Sequence, residues 1–492
     1  MKAYPAMMRV GVVAAMLAAA GLALGQAPEV PGVGPRNVGG AVIDDLPLIG
    51  PYLLPTETPF ESIRIAFRGT HEKTRSAGGV VHFGKKSVGE HELKFVPGAR
   101  QVVDLTRLSP DCEYQYQLDL GEYRSPVYRF RTAPAPGTRA RTMKVAVLMD
   151  IHAMEPFRLN LSRPGSKPMF FRHCGSMVAD LKKFDPDLLI LGGDLVDGVF
   201  TFEGTKDSMP RQYETLFRVF RDLFANALVV PCPGNHEWGC GDPDLALYAD
   251  YFPLPQNGPD DDRNNTWSFA YGGIGFQLRA DDTPRTGRTR FPRQRESAAP
   301  WIRKNLRWLK EECGADTIID VNHYPVFHWG DGKGGATQTP VVFDPRGQPG
   351  VTDVFDASGA VRIALSGHTH MHQRTFPLLC EGGVRATTTE LTDYGPDTRG
   401  TIYMQCPSLW RGYPNPVDNP LVARNGRPSF PVDIHGYAGY VEMTVTPLDV
   451  VIETFLYDKP GHVCHEKVDG FRIRRPRQTW TRNQKADAPA GP

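Results

Sequence analysis

The stretch Val145-Ala-Val-Leu-Met-Asp150-Ile-His152 decides the fold, because an apolar run ends directly in a carboxylate and an imidazole. Similar runs recur along the middle of the chain. They lead into the blocks Gly193-Asp194-Leu-Val-Asp197, Gly234-Asn235-His236-Glu237, Asn322-His323 and Gly367-His368-Thr-His370. Apolar runs bounded by Gly, Pro or Asp are typical of buried parallel strands. The blocks are therefore predicted at the carboxyl ends of strands, where open α/β sheets place their chemistry.

Taken together, the blocks supply carboxylates, one amide oxygen and several imidazoles. This mixture of oxygen and nitrogen donors suits a pair of divalent or trivalent transition metal ions. A single block has little meaning, because an isolated buried His is more often a hydrogen-bonded core residue than a ligand. Five blocks on five predicted strand ends favour a metal site over that structural explanation.

In their order, the blocks resemble the pattern of the calcineurin-like metallophosphoesterase superfamily: D-x-H, G-D, G-N-H-[DE], H and G-H-x-H. The resemblance implies a four-layer α/β/β/α sandwich with two metal ions, and iron, manganese and zinc all remain open. It makes Asp150, His152 and His370 ligands of one metal, Asn235, His323 and His368 ligands of the other, and Asp194 the bridge. A carboxylate can bridge because its two oxygens offer several lone-pair directions.

Phosphate ester hydrolysis is the chemistry that this site would perform. Two metals about 3.5 to 4 Å apart bind phosphate oxygens and lower the pKa of a bridging water, so that hydroxide can attack phosphorus near neutral pH. The leaving group needs a proton, and His236 is the predicted general acid because the family pattern does not count it among the ligands. The resemblance implies that Asp197 orients the His236 imidazole and favours its protonated form. Glu237 is predicted to be a structural acid.

The first 25 residues are typical of a secretory signal peptide. Lys2 and Arg9 precede an apolar run, Val10 to Leu24, that is short for a membrane span. We expect a signal peptide at 1–25, an extended leader at 26–49, and an exported protein, periplasmic or extracellular, with no membrane span after signal removal. An uncleaved anchor is the alternative. The net charge of +1 gives no argument for nucleic acid binding.

Residues 50–133 have a different pattern, short strands with period-two alternation. The stretches Leu108 to Tyr116 and Tyr128 to Pro134 resemble the fibronectin type III-like domain that precedes the catalytic domain of purple acid phosphatases. A small all-β sandwich is therefore predicted, with its tyrosines as core residues. A linker at 134–140, an α/β catalytic domain at 141–475 and a disordered tail at 476–492 should follow. Helices are expected at 170–184, 211–226, 243–251 and 301–312, and late strands at 439–446, 450–456 and 471–473.

The metal blocks depart from those of purple acid phosphatases at two positions. The tyrosine of their G-D-x-x-Y block, which ligates ferric iron and gives the colour, is replaced by Asp197. Their first block also lacks the equivalent of His152. The protein is therefore not expected to be purple.

Eight cysteines permit disulfides without fixing their connectivity. A bridge between Cys232 and Cys240 would brace the loop that carries Asn235 and His236. Buried free thiols are the alternative.

Substrate preference is the least determined feature of the sequence. Tyr324 and His328 are candidates for binding a small phosphate ester, whereas the basic loop from Arg285 to Arg295 is more typical of a solvated surface. The domain arrangement favours a monoester hydrolase. A phosphodiesterase acting on cyclic nucleotides or lipid head groups is the alternative. A secreted binding protein, in which the metals only stabilise, is disfavoured because stability alone would not require the extra imidazole of His236.

Overall fold

A computed structural model of the 492-residue chain describes residues 48–477. Its short gaps are 71, 76–77, 97, 99, 122, 264 and 382, and its longer gaps are 154–168, 199–207, 239–244, 281–297, 328–349, 410–431, 435–437 and 458–465. The predicted signal peptide, nearly all of the leader, residues 478–492 of the tail, Cys240, His328 and the basic loop thus lie outside the described residues. Among the described helices, none has the length and apolarity needed to cross a membrane.

The described chain alternates strands and helices after an all-strand beginning. In order, it forms β1 (Leu48–Pro55), β2 (Ile63–Gly69), α1 (Glu72–Arg75), β3 (Gly79–Gly84), β4 (His91–Phe95), β5 (Arg100–Leu105), β6 (Glu113–Leu120), β7 (Tyr123–Arg124), β8 (Tyr128–Arg131), β9 (Met143–Leu148), α2 (Met169–Phe184), β10 (Leu188–Gly192), α3 (Met209–Val219), α4 (Arg221–Phe224), β11 (Leu228–Cys232), α5 (Asn235–Trp238), α6 (Ala246–Tyr251), β12 (Trp267–Tyr271), β13 (Ile274–Arg279), α7 (Ala298–Glu311), β14 (Thr317–Asn322), α8 (Val351–Ser358), β15 (Val361–Ser366), β16 (His372–Arg374), β17 (Leu378–Leu379), β18 (Arg385–Ala386), β19 (Asp393–Tyr394), β20 (Ile402–Gln405), β21 (Val432–Ile434), β22 (Ala438–Val445), β23 (Asp449–Tyr457) and β24 (Glu466–Arg474).

The first large sheet has ten strands in the order β19-β24-β23-β22-β9-β10-β11-β1-β2-β5. Its centre is parallel, since β9, β10 and β11 run in the same direction, with Leu188 opposite Val145 and Leu228. All five residues of β10 and of β11 are buried, which explains their continuous apolar sequence. The first three metal blocks follow these three strands and therefore meet at one edge of the sheet.

The second large sheet has seven strands in the order β12-β13-β14-β15-β20-β16-β21, with β13, β14, β15 and β20 parallel. Successive residues of β14 face different cores, and a register irregularity at the start of β15 places Val361 and Ile363 in different cores as well. Ile319 and Ile363 pack in the core shared with the first sheet. Ile318 and Val361 pack instead with side chains of α7 and α8. The second sheet thus lies between the first sheet and these helices, and the predicted α/β class with large mixed sheets is confirmed.

The region predicted as a separate sandwich divides between two sheets. Strands β1, β2 and β5 extend the first large sheet, with Leu53 of β1 parallel to Leu228 of β11. Strands β3, β4, β6, β7 and β8 form a five-stranded sheet of their own. The strands of the region predicted at 50–133 therefore belong to two different sheets, and the one that contains β1 also contains β9, β10 and β11. A fibronectin III-like fold for the remaining strands stays a prediction.

Most predicted helices and strands occur close to their expected limits. In α7 the stripe Ile302, Leu306 and Leu309 is buried, as its spacing predicts. The helix expected over 211–226 is instead two helices, α3 and α4, because Phe220 leaves helical geometry at φ −97° and ψ 12°. The three late strands are confirmed as β22, β23 and β24.

Candidate metal centre

The loops that carry the five blocks contain strained backbone. Among non-glycine residues, Asp150, His152, Asp194, His368 and His370 have positive φ angles of 49°, 49°, 50°, 69° and 57°. Such residues rarely adopt this left-handed region, and strain of this kind persists only where surrounding contacts hold it. These positive φ angles occur at the strand ends, where they turn side chains from both sheets toward a common space.

One group of donors joins Asp150, His152 and His370, all of them buried. His370 Nε2 lies 3.4 Å from Asp150 Oδ1, and it lies 3.2 Å from His152 Nε2. Asp150 and His152 follow β9 of the first sheet, whereas His370 follows β15 of the second. The group therefore spans the space between the two sheets.

A second group joins Asp194, His323 and His368, and Asn235 completes it. His323 Nε2 lies 3.1 Å from Asp194 Oδ2 and 3.1 Å from Asn235 Oδ1. The same amide oxygen lies 2.9 Å from His368 Nδ1. All seven residues named as ligands from the sequence lie in or beside these neighbouring groups, and a further group of donors joins His152, Asp194 and His236.

The Asp194 carboxylate faces both groups. Its Oδ2 lies 3.7 Å from His152 Nε2 in the first group and 3.1 Å from His323 Nε2 in the second. Its other oxygen, Oδ1, accepts a hydrogen bond of 2.8 Å from the main-chain N–H of His236. The carboxylate is therefore fixed in a position between the groups.

The electrostatics of the site favour the ionised forms of two carboxylates, Asp194 and Asp150. Burial by itself raises the pKa of Asp194, but the imidazoles of His323 and His236 outweigh burial and hold that pKa well below its usual range. The pKa of Asp150 is lowered in the same way, since His370 and His323 outweigh its burial. For His323, burial lowers the pKa, but the neighbouring carboxylates dominate and raise it to about 10. Two ionised carboxylates in a buried space favour the binding of cations.

These donors fit transition metal ions. In the first and in the second group the donor atoms of the Asp and His side chains lie within 4.8 Å of one another, and all these side chains are buried except that of His368, which is half-buried. Carboxylate oxygen, amide oxygen and imidazole nitrogen are together the donor set that manganese, iron and zinc accept. The site thus consists of clustered His and Asp residues suited to divalent metals.

His236 lies beside the donors, with its ring 4.4 Å from that of His152. Its Nδ1 donates to the main-chain carbonyl oxygen of Asp197 at 2.7 Å. The Asp197 carboxylate is 3.9 Å from the same nitrogen but 3.2 Å from His152 Nδ1. The pairing expected between the Asp197 carboxylate and His236 is thus made by the Asp197 carbonyl, and the carboxylate orients His152.

Glu237 has a defined structural role that the sequence only suggested. Its buried carboxylate accepts hydrogen bonds from the N–H groups of Gly234, Asp194, Leu195 and Val196 at 2.6, 3.0, 2.7 and 3.1 Å. Burial and then the charge of Asp194 raise the pKa of Glu237 to about 7. The side chain ties the loop after β10 to the loop after β11, and so it holds Asp194 in its left-handed conformation.

Asp150 is held from two directions. Its carboxylate accepts the main-chain N–H of His368, with 2.9 Å to each oxygen. Its main-chain carbonyl accepts the hydroxyl of Ser408 at 3.0 Å. Sequence reasoning missed Ser408, because a serine 258 positions away carries no local pattern that would connect it to Asp150.

Of the two residues predicted to contact substrate, Tyr324 lies at the site. Its half-buried ring is 4.3 Å from the ring of His368 and 5.4 Å from that of His323. His328 lies outside the described residues. The proposed partner of Cys232, Cys240, lies outside them as well.

Comparison with known proteins agrees with this geometry. Residues 143–372 match the family model of the calcineurin-like phosphoesterases. A solved structure of PhoD matches with a TM-score of 0.61 and 15% sequence identity, over 88% of this chain and 90% of that chain. The structure of Vps29 from Chaetomium thermophilum matches with a TM-score of 0.26 and 10% identity, over 68% of this chain and 100% of that chain. Among curated proteins none matches.

The family match covers all five blocks, from the start of β9 to the first residue of β16. The likeness to PhoD, a likeness of fold, extends beyond residues 143–372 and so includes strands outside the family model. Residues 143–372 therefore match a calcineurin-like phosphoesterase domain, and the chain is an enzyme that hydrolyses phosphoric ester bonds.

Proposed function

We propose that this enzyme is an exported phosphatase that binds two transition metal ions and hydrolyses small phosphate monoesters. The observation that carries the proposal is the position of Asp194, whose carboxylate faces both donor groups. The first ion would be held by Asp150, His152 and His370, and the second by Asn235, His323 and His368. Asp194 would be the shared ligand.

The metal ions, when bound, supply Lewis acidity toward phosphate oxygens and a lowered pKa for an attacking water. The chain's own residues orient the metal-binding side chains and give a proton to the leaving group. Nδ1 of His236 donates to the Asp197 carbonyl, and we assign Nε2, which lies 3.8 Å from Asp194 Oδ2, to the transfer of a proton to the leaving oxygen. The Asp197 carboxylate orients His152 through Nδ1, which leaves Nε2 of that ring for the metal.

The choice of monoesters rests on the all-β region before the catalytic domain, an arrangement that resembles purple acid phosphatases. A phosphodiesterase is the second candidate, because the first block keeps His152 as the wider superfamily does. His152 Nε2 faces the first donor group at 3.2 Å from His370 Nε2. We assign Tyr324, and with it His328, to contacts with the ester group rather than to chemistry.

The test is an activity panel on metal-free protein reconstituted with Mn²⁺, Zn²⁺ or iron. We expect p-nitrophenyl phosphate to be hydrolysed with a higher kcat/KM than its bis-ester, and two metal ions per chain at full activity. A preference for the bis-ester would replace the monoester proposal with the phosphodiesterase. Metal binding without hydrolysis of either ester would leave the secreted binding protein as the explanation.

Export is proposed from the signal-like amino terminus. Mass spectrometry of protein recovered from the producing cells should find the mature chain beginning near residue 26, outside the cytoplasm. An intact amino terminus in the membrane fraction would indicate the uncleaved anchor instead.

A further inference from the structure

A buried ion pair crosses between the two large sheets beside the metal site. Asp469, on β24 of the first sheet, contacts Arg374, on β16 of the second. Arg374 Nε and Nη2 donate to the two oxygens of Asp469 at 2.8 and 3.0 Å. The Arg374 side chain is 2% exposed and that of Asp469 is 7% exposed, so water does not screen this bidentate pair.

His372, the first residue of β16, joins the same carboxylate. Its Nε2 lies 3.1 Å from Asp469 Oδ2, and its Nδ1 lies 3.1 Å from the main-chain oxygen of Gln405 on β20. Both ring nitrogens thus face acceptors, which fixes the orientation of the ring. Arg374 also donates to the Tyr394 hydroxyl at 2.9 Å. The cluster around Asp469 therefore holds β16 from its first residue to its last.

The position of β16 matters because His370 lies two residues before it. His370 has a left-handed backbone, and it shares a donor group with Asp150 from the other sheet. The geometry of that group therefore depends on how far apart the sheets lie at this edge. Asp469 joins the two sheets near this edge. Across the first sheet, Asp469 on β24 pairs with Thr454 on β23, Thr454 pairs with Val441 on β22, and Val441 pairs with Val147 near the end of β9.

We propose that Asp469 is a positioning residue of the metal centre, which sets the place of His370 through β16 without touching metal or substrate. This inference rests on the proposed function, because it assumes that the first donor group binds a metal. It assigns a role to the last strand of the chain, which lies far in sequence from the five blocks.

The chain offers a matched control at the opposite edge of the sheets. Asp316, just before β14, also pairs across the sheets, with Arg139 and Arg475. The contacts are 2.8 Å from Arg139 Nε and 2.9 Å from both Nε and Nη2 of Arg475. Its side chain is 16% exposed. Asp316 and Asp469 both pair with arginine across the two sheets. Asp469 lies at the edge that carries the candidate metal ligands, whereas Asp316 lies at the opposite edge.

The experiment compares Asp469→Asn with Asp316→Asn in the full chain. Metal-free protein is titrated with Mn²⁺ and with Zn²⁺ by calorimetry, and Tm is recorded without metal. We expect both variants to lower Tm. Asp469→Asn should in addition weaken one of the two metal sites by about 10- to 100-fold, the range for residues that orient ligands. Asp469→Glu, which keeps the charge, should recover part of that affinity.

Two results would overturn the proposal: unchanged metal affinity in Asp469→Asn, or an equal loss in Asp316→Asn, which would reduce the effect to general stability. If Asp469→Asn does not fold, Arg374→Lys keeps the positive charge on β16 but removes the bidentate contact with Asp469. It should then weaken the same metal site several-fold, and unchanged affinity would again reject the role. Wild-type protein that binds no metal would contradict the proposed function itself.

Discussion

The two edges of the facing sheets use similar side chains in opposite ways. At the amino edge, the half-buried Asp316 lies between the guanidinium groups of Arg139 and Arg475, so that each charge has a partner. At the carboxyl edge, Asp150 and Asp194 lie among imidazoles that also crowd one another. Five of the nine non-glycine residues with positive φ in the described chain are candidate ligands at this second edge.

The comparison indicates that the amino edge stabilises the fold, whereas the carboxyl edge is suited to binding metal. A buried ion pair with complete hydrogen bonding keeps its geometry without any further ligand. The carboxyl edge combines backbone strain with crowded imidazoles and ionised carboxylates, and such groups cluster where a ligand completes the arrangement. Changes at the carboxyl edge should therefore alter metal binding and turnover more than folding, and changes at the amino edge should do the reverse.

The largest effect is expected at Asp194. Asp194→Asn replaces a carboxylate that faces both donor groups with an amide, which binds transition metals more weakly and bridges them poorly. We expect the loss of at least one metal ion and a fall in kcat/KM on the order of 10³-fold. Elemental analysis and steady-state kinetics measure both quantities. Two ions still bound with full turnover would reject the bridging role.

A smaller and more selective effect is expected at His236. His236→Ala should keep both metals and slow alkyl phosphates by about 10²- to 10⁴-fold, the usual contribution of general acid catalysis. It should slow p-nitrophenyl phosphate much less, because that leaving group can depart without a proton. Equal slowing of both esters would make His236 a phosphate-binding group.

Asp197→Asn is the matched comparison for His236. The carbonyl that accepts from His236 Nδ1 remains in this variant, whereas the carboxylate beside His152 is lost. We therefore expect weaker metal binding with little change in leaving-group selectivity. The same selectivity as in His236→Ala would mean that the carboxylate acts on His236 after all.

The sequence indicates which side chains lie together at the candidate metal centre better than it indicates which residues support them, for a physical reason. Asp150, Asp194 and His370 each follow an apolar run, and the alternation of burial along parallel strands is a local signal. The supports act across the fold. Ser408 and Asp469 reach the site only through sheet pairing, and nothing near them in sequence indicates a metal.

The same distinction explains why the amino-terminal strands divide between two sheets. The short strands from residue 62 onward were predictable from period-two alternation. Their sheet membership was not, because β5 pairs with β2, β2 pairs with β1, and β1 joins the first large sheet through β11. Local pattern predicts that a strand exists, and only long-range packing decides which sheet it joins.

The smallest effect is expected at Ser408, and it tests whether support of the strained backbone contributes to catalysis. Ser408→Ala removes the buried hydroxyl that donates to the Asp150 carbonyl at 3.0 Å. A hydrogen bond of this kind contributes about 1 kcal/mol to the free energy of unfolding. If the same free energy is lost from the productive geometry of Asp150, kcat/KM should fall about fivefold.

Ser268→Ala is the control for Ser408→Ala. Ser268 lies on β12, away from the five blocks, and its buried hydroxyl donates a hydrogen bond of 2.6 Å to Asn305 Oδ1. Both variants should lose similar stability in chemical denaturation, about 1 kcal/mol. Only Ser408→Ala should also lose activity, and its metal affinity should fall with it. If the two variants retain equal kcat/KM, the left-handed conformation of Asp150 is fixed by its other contacts, among them the His368 N–H on its carboxylate, and Ser408 contributes only to folding.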